Sequence, residues 1–134
     1  MDSILVTDLC KSLSDFSLKN ISFHVPQGRI VGFIGENGAG KSTTINLILN
    51  ELNPDAGKIE VLGKSNSCGS IRNDVGVVFD ECNFHDVFNA TIVGKMLSGV
   101  FSSWNDTLYY NYLSKFKIPE KKPIGTFSKG MKMK

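Results

Sequence analysis

The sequence has little net charge, few cysteines and no long apolar run. Its 134 residues carry 15 Lys and Arg against 13 Asp and Glu, a net charge of +2, which disfavours nucleic-acid binding driven by bulk electrostatics. The three cysteines lack a C-x-x-C spacing and predict neither a disulfide framework nor a zinc site. No apolar stretch approaches the roughly 18 residues of a membrane span, and the N-terminus lacks the basic region of a secretory signal. We therefore expect one soluble, cytosolic domain.

The first half of the chain carries strand patterns. Alternating apolar residues predict strands at 4–7 and 16–25, the second closed by a turn at Pro26–Gly28. Apolar runs at 29–34 and 75–79 have the length and composition of buried strands. A further strand is expected at 58–62, after the helix-stopping sequence Asn-Pro-Asp-Ala-Gly.

Helical periodicity begins at Lys41 and dominates after residue 90. The first helix is predicted to bury one apolar face, made of Ile45, Ile48, Leu49 and Leu52. Two more helices are expected at 92–101 and 107–116, the second capped near Asn105 or Asp106. The pattern indicates strands and one early helix first, then a mostly helical segment.

A glycine-rich loop joins the apolar run at 29–34 to the first predicted helix. Its residues fit G-x-x-x-x-G-K-[ST]: Gly35, Glu36, Asn37, Gly38, Ala39, Gly40, Lys41 and Ser42. Glycines allow backbone N–H groups to curl around phosphate oxygens, and the helix directs its free N–H groups at the same anion. Lys41 is predicted to reach the β- and γ-phosphates, Ser42 to bind Mg²⁺ through its hydroxyl, and Thr43 to support the α-phosphate.

The phosphate loop alone leaves several classes of protein open, among them small-molecule kinases, GTPases and transport ATPases. A nucleotide-binding interaction module without turnover also remains possible. The flanking residues distinguish these alternatives. The loop reads Gly-x-Asn-Gly-Ala-Gly-Lys-Ser-Thr-Thr, preceded by Ile21-Ser22-Phe23-x-Val25-Pro26 and followed by Pro54-Asp55-Ala56-Gly57. This wording resembles the ATP-binding subunit of ABC transporters, and within it the bacterial exporter branch.

The segment Thr126-Phe127-Ser128-Lys129-Gly130-Met131 resembles the signature motif of that family. Ser128 is expected to cap the helix that follows, and Gly130 to let an anion approach the backbone. The resemblance implies that this helix end faces the γ-phosphate held by the opposite subunit of a head-to-tail dimer, either homodimeric or heterodimeric.

Two positions depart from the family pattern. Where most members carry a glutamine that contacts Mg²⁺ and the attacking water, this chain has Asp80, followed by Glu81. Either carboxylate is chemically suited to bind Mg²⁺, so Asp80 is a candidate catalytic residue and metal ligand, with a solvated acidic turn as the alternative. The tyrosine expected under adenine is replaced by Leu13, and Phe16 is the candidate platform for the base, with core packing as the alternative.

The resemblance implies an α/β fold: a P-loop NTPase core with a small antiparallel β-subdomain at about residues 1–85, then the beginning of an α-helical subdomain at about 86–134. Nothing in these residues resembles the Walker B aspartate, the catalytic glutamate or the switch histidine, so we expect an N-terminal fragment that binds ATP and Mg²⁺ with little hydrolysis. Such a fragment would lack strands that complete the central sheet in the family, and we therefore expect an exposed sheet edge and exposed apolar surface. The expected location is the cytoplasmic face of the membrane, through a membrane-spanning partner subunit.

Overall fold

The structure, a computed structural model, describes residues 1–79 and 82–133, which form two compact units, Met1–Arg72 and Asn73–Lys134. The elements are, in chain order, β1 Asp2–Leu13, β2 Phe16–Pro26, α1 Lys41–Ile48, β3 Ala56–Val61, β4 Lys64–Ser65, a 3₁₀ turn Gly69–Asn73, α2 Ala90–Val100, α3 Asp106–Lys115, a 3₁₀ turn Ile124–Thr126 and α4 Lys129–Lys132. Within the described ranges, no helix combines the length and apolar character needed to cross a bilayer.

The first unit is built on an antiparallel sheet with strand order β2-β1-β3-β4. Val6 pairs with Phe23 on one side and Ile59 on the other. A register shift follows Val6, where Asp8 adopts a left-handed conformation with φ 48°. Because a bulge inserts one extra residue, Val6 and Leu9 both point into the core and are only 1% and 0% exposed. The predicted strand at 4–7 is therefore real but much shorter than β1.

The helix predicted from Lys41 is present, but its predicted buried face is wrong. Thr44 and Leu47 are the buried residues of α1, whereas Ile45 is exposed. The helix ends at Ile48, and Asn50 has a positive φ of 58°. Leu49 and Leu52 therefore lie beyond the helix. The prediction counted them as part of its buried apolar face and so chose the wrong residues for that face.

The predictions of buried strands at 29–34 and 75–79 are also wrong. Neither segment is a strand, and Ile30, Ile34 and Val78 are largely exposed. In the described part of the chain, no strand of the sheet pairs with either segment. An apolar run requires hydrogen-bonded neighbours to become a strand, and here it has none. The exposure of these side chains agrees with the apolar surface expected from the resemblance.

Two helices organise the second unit, at the places that the periodicity predicted. The Asn89 side chain caps α2 by accepting from the N–H of Ile92, and Asn105 caps α3 by accepting from the N–H of Leu108, each at 2.9 Å. The Tyr109 hydroxyl donates to the carbonyl of Ala90 at 2.8 Å and so joins the two helices. Burial raises the pKa of this phenol above its ordinary value of 10, so the hydroxyl, already protonated at neutral pH, stays a donor at higher pH as well.

Candidate functional site

The glycine-rich loop ends at Gly40, which is the N-cap of α1. Gly40 has φ 90° and provides no side chain to cap the helix, and the first turn of α1 contains no acidic residue. The N–H groups of this turn therefore keep their hydrogen-bonding capacity, and the helix dipole adds positive potential at the same place. This arrangement favours an anion at the loop.

Two glycines allow the loop to bend this way. Gly38 and Gly40 have φ of 85° and 90°, in the left-handed region that costs other residues energy. A Cβ on Gly40 would lie 2.5 Å from Cζ of Phe16 and 2.6 Å from Cδ2 of Leu18, whereas a Cβ on Gly38 would meet nothing within 4 Å. Gly40 is thus packed against β2, and Gly38 faces open space.

The Lys41 side chain folds back along the loop. Its Nζ donates to the carbonyls of Gly35 and Glu36, each at 2.7 Å. The Glu36 carbonyl also accepts from the N–H of Ala39 at 3.2 Å, which closes the turn. An ammonium group has three donors, so these two carbonyls leave one N–H of Lys41 available to an anion held by the loop.

A cavity of about 510 Å³ lies beside the loop, within the usual size range of a small-molecule site. Its lining residues are Leu13, Asp15, Phe16, Asn37, Gly38, Gly40, Lys41, Ser42 and Thr43. Most of the site residues predicted from the sequence are therefore brought to one place. Asp15 was not predicted. The small polar pair Ser14–Asp15 between two apolar residues is the turn signal that would have placed it at the tip of the β1–β2 hairpin.

The residues around the loop fit a polyphosphate with Mg²⁺. The positive φ at Gly40, the free N–H groups of α1 and the Lys41 ammonium suit an anion, and the exposed hydroxyl of Ser42 is a hard oxygen ligand. Among residues 1–79 and 82–133 there is no cluster of three His, Cys, Asp or Glu residues, so other oxygen ligands would have to complete a metal shell. Asp80 and Glu81, the candidates for that role, lie outside the described residues.

The segment that resembles the signature motif belongs to the second unit. Ser128 is the N-cap of α4, and its Oγ accepts from the N–H of Met131 at 3.3 Å, so the predicted cap is confirmed. A Cβ on Gly130 would meet nothing within 4 Å. The Lys132 ammonium contacts a carboxylate oxygen of Asp86 at 2.9 Å, which fixes the end of this short helix to the loop before α2.

A G-x-x-x-x-G-K-[ST] loop that ends at the N-terminus of a helix is characteristic of P-loop nucleotide-binding proteins, and solved structures agree. An ATP-binding subunit of an ABC transporter superposes with a TM-score of 0.84 and 25% identity, over 97% of this chain and 57% of that one. A dimeric ATP-binding cassette with ADP and Pi gives a TM-score of 0.75 at 19% identity, over 96% of this chain and 65% of that one. The fold is that of ABC ATPase domains.

The family follows from the sequence comparisons. The ABC transporter family model matches residues 18–134, and the chain belongs to the ATP-binding subunits of that family. It is 30% identical to the bacitracin transport ATP-binding protein BcrA of Bacillus licheniformis, over 98% of this chain and 44% of BcrA. It is 33% identical to the teichoic acids export ATP-binding protein TagH of Lactococcus lactis, over 97% of this chain and 27% of TagH. The chain thus spans less than half the length of each.

Proposed function

We propose that this chain binds ATP with Mg²⁺ through residues 35–43 as part of the energising subunit of an ABC transporter. The observation that carries the proposal is the Lys41 ammonium, held by two loop carbonyls at the N-terminus of α1. Family membership supports the choice of ATP. The resemblance to the bacterial exporter branch and a relative named for teichoic acid export support export, whereas another matching relative is named for phosphonates import.

Each residue of the loop has a role in this proposal. Lys41 stabilises the charge of the β- and γ-phosphates, backbone N–H groups from Gly38 to Ser42 orient the polyphosphate, and Thr43 supports the α-phosphate. Ser42 holds Mg²⁺, which neutralises phosphate charge when bound. Asp80 is proposed as a further ligand and as the residue that orients the attacking water. These groups act by electrostatic stabilisation and positioning.

The rest of the site involves other protein chains. We propose that Ser128 and Gly130 present the N-terminus of α4 to the γ-phosphate bound by a second nucleotide-binding subunit, in a head-to-tail homodimer or heterodimer. Within this chain, Phe16 supports the adenine base of the nucleotide. A membrane-spanning subunit places the protein at the cytoplasmic face of the membrane. Hydrolysis requires the dimer, in which the phosphate loop of one subunit faces the N-terminus of α4 in the other.

Calorimetric titration with ATP and Mg²⁺ tests the proposal. Lys41→Ala should weaken binding at least about tenfold, a loss of ~1.4 kcal/mol, because the loop loses its only full positive charge. Lys58→Ala removes an exposed lysine from β3 in the same unit and should leave the dissociation constant unchanged. Equal heats for the wild-type chain and Lys41→Ala, with both folded by circular dichroism, would overturn the proposal.

A further inference from the structure

The Asp55 side chain joins the chain leaving α1 to the far end of β1. Its Oδ2 accepts from the backbone N–H of Ser12 at 2.7 Å, and its Oδ1 accepts from Nζ of Lys11 at 2.8 Å. The Asp55 backbone N–H donates to the carbonyl of Cys10 at 2.9 Å. Three hydrogen bonds therefore connect one residue to three consecutive residues of β1.

These bonds begin where the backbone ladder between β1 and β3 stops. The last pair in that ladder is Cys10 with Ala56. Beyond it, β1 continues to Leu13, and the Asp55 carboxylate takes the place of a neighbouring strand for the N–H of Ser12. The Lys11 side chain is 17% exposed and the Asp55 side chain 46%, so this charged bond is shielded from water on the lysine side and open to solvent on the carboxylate side.

The end of β1 fixed in this way supports one side of the cavity beside the loop. Leu13 pairs with Phe16 across the hairpin turn, and both line the cavity together with Asp15. The other side is formed by residues 37–43, where Lys41 and the helix N-terminus lie. The hairpin side has no phosphate-binding group, and its apolar side chains suit the flat face of a base.

We infer that Asp55 is a positioning residue for base recognition, because it holds the tip of the β1–β2 hairpin where Leu13 and Phe16 can contact the base of the nucleotide. The inference rests on the proposed function. None of the Asp55 hydrogen bonds reaches residues 37–43, so loss of the carboxylate should reduce mainly the part of the affinity that the base contributes and much less the part from the phosphates.

Calorimetry with two probes tests this separation: ATP with Mg²⁺, and tripolyphosphate with Mg²⁺, which has no base. Asp55→Ala should weaken ATP about tenfold and tripolyphosphate less than about twofold. Asp55→Asn keeps an acceptor for the N–H of Ser12 and should show a smaller loss of ATP affinity. The matched control is Asp2→Ala, which removes an exposed contact with His24 at the opposite end of β1 and should change neither constant.

The ratio of the two dissociation constants decides the outcome. A purely structural effect of Asp55 would weaken both probes equally, and that result, or an unchanged ratio, overturns the inference. If Asp55→Ala fails to fold, Lys11→Met and Asp55→Asn report the same ratio. Failure of the proposed function is distinguishable, because Lys41→Ala would then leave both probes bound as in the wild-type chain.

Discussion

Gly40 affects both the packing of the first unit and the anion site, because its backbone conformation and its lack of a side chain are both required where it lies. Its φ of 90° aims the first turn of α1 into the cavity, and the missing side chain makes room for the Phe16 ring and for Leu18. A side chain here would have to displace β2 or the loop. Gly38 has a similar φ but no close neighbours. Comparing substitutions at the two glycines therefore distinguishes the cost of backbone strain from the cost of overpacking.

Alanine at these two positions should therefore destabilise the fold to different degrees. Gly38→Ala should lower the free energy of unfolding by about 1 kcal/mol through the positive φ alone. Gly40→Ala should lower it by about 3 kcal/mol, because a Cβ at 2.5 Å from the Phe16 ring adds overpacking. Urea unfolding measures both. Equal losses would show that the contact with Phe16 does not constrain the loop.

Asp55 gives the fold a dependence on pH. The hydrogen bond from Lys11, and then that from the N–H of Ser12, hold the pKa of its carboxyl below the ordinary 3.8. A depressed pKa in the folded state means that the stabilisation is complete above the unfolded value and is lost as the pH falls through the folded one. The melting temperature of the wild-type chain should therefore exceed that of Asp55→Asn at neutral pH.

That difference should stay constant down to about pH 5 and shrink below about pH 4. Thermal unfolding followed by circular dichroism across this range measures it. A difference that persists unchanged at pH 3, or that grows as the pH falls, would contradict the assignment of the charged pair to Asp55 and Lys11.

The contact between α2 and α3 depends on a glycine in the middle of a helix. Gly94 is buried in α2, and a Cβ there would lie 2.7 Å from Cε1 of Tyr109. The Tyr109 ring is restrained because its hydroxyl is bonded to Ala90. Glycine lowers helix stability by about 1 kcal/mol relative to alanine, so the close approach of Tyr109 accounts for its presence at this position.

Gly94→Ala and Gly99→Ala should change stability in opposite directions. Both substitutions improve helix propensity in α2, but a Cβ on Gly99 meets nothing within 4 Å. Gly99→Ala should stabilise the second unit by up to about 1 kcal/mol, while Gly94→Ala should destabilise it by about 1–2 kcal/mol, because overpacking outweighs the propensity. Urea unfolding followed by tyrosine and tryptophan fluorescence compares them. Stabilisation by both would refute the packing argument.

Apolar side chains are exposed in both compact units. Ile30 and Ile34 lie at 104% and 95% of full exposure in the first unit, and Val78 at 82% in the second. Contiguous exposed apolar residues mark interaction sites or promote aggregation. The segments that carry them, 29–34 and 75–79, are the two that the sequence predicted to be buried strands.

Polar substitutions at these positions should therefore reduce surface hydrophobicity at no cost to folding. Ile30→Ser and Val78→Ser should lower the fluorescence of a bound hydrophobic dye and slow aggregation. The free energy of unfolding should stay within about 0.5 kcal/mol of the wild-type value, as for surface substitutions. A loss of several kcal/mol would mean that these side chains are packed in the chain as it folds.

The sequence predicted the features that depend on local patterns. The alternation before Pro26, the caps Asn105 and Ser128 and the helix start at Lys41 are all local signals, and each is present. The strand at 29–34 was wrong because an apolar run indicates a need for burial but not the presence of a partner strand. The predicted buried face of α1 was wrong because the apolar pattern continues to Leu52, whereas the helix ends at Ile48.

The tertiary contacts that the sequence did not predict join residues far apart in sequence. Asp55 and Ser12 are separated by 43 positions, and nothing in either segment alone indicates their bond. Likewise, the contribution of Asp15 to the cavity depends on how the β1–β2 hairpin lies against the loop. Such juxtapositions are a product of tertiary packing, which composition and periodicity do not encode.

Backbone amide shifts on adding ATP and Mg²⁺ to the isotope-labelled chain test most directly the account that residues 35–43 wrap a polyphosphate. The largest shifts should fall on the N–H groups from Gly38 to Thr43, and in Lys41→Ala they should require at least about tenfold more nucleotide. Tripolyphosphate should reproduce them while leaving Leu13 and Phe16 unmoved. Saturating nucleotide that leaves the amides from Gly38 to Thr43 unshifted, or that shifts only residues elsewhere, would contradict the account.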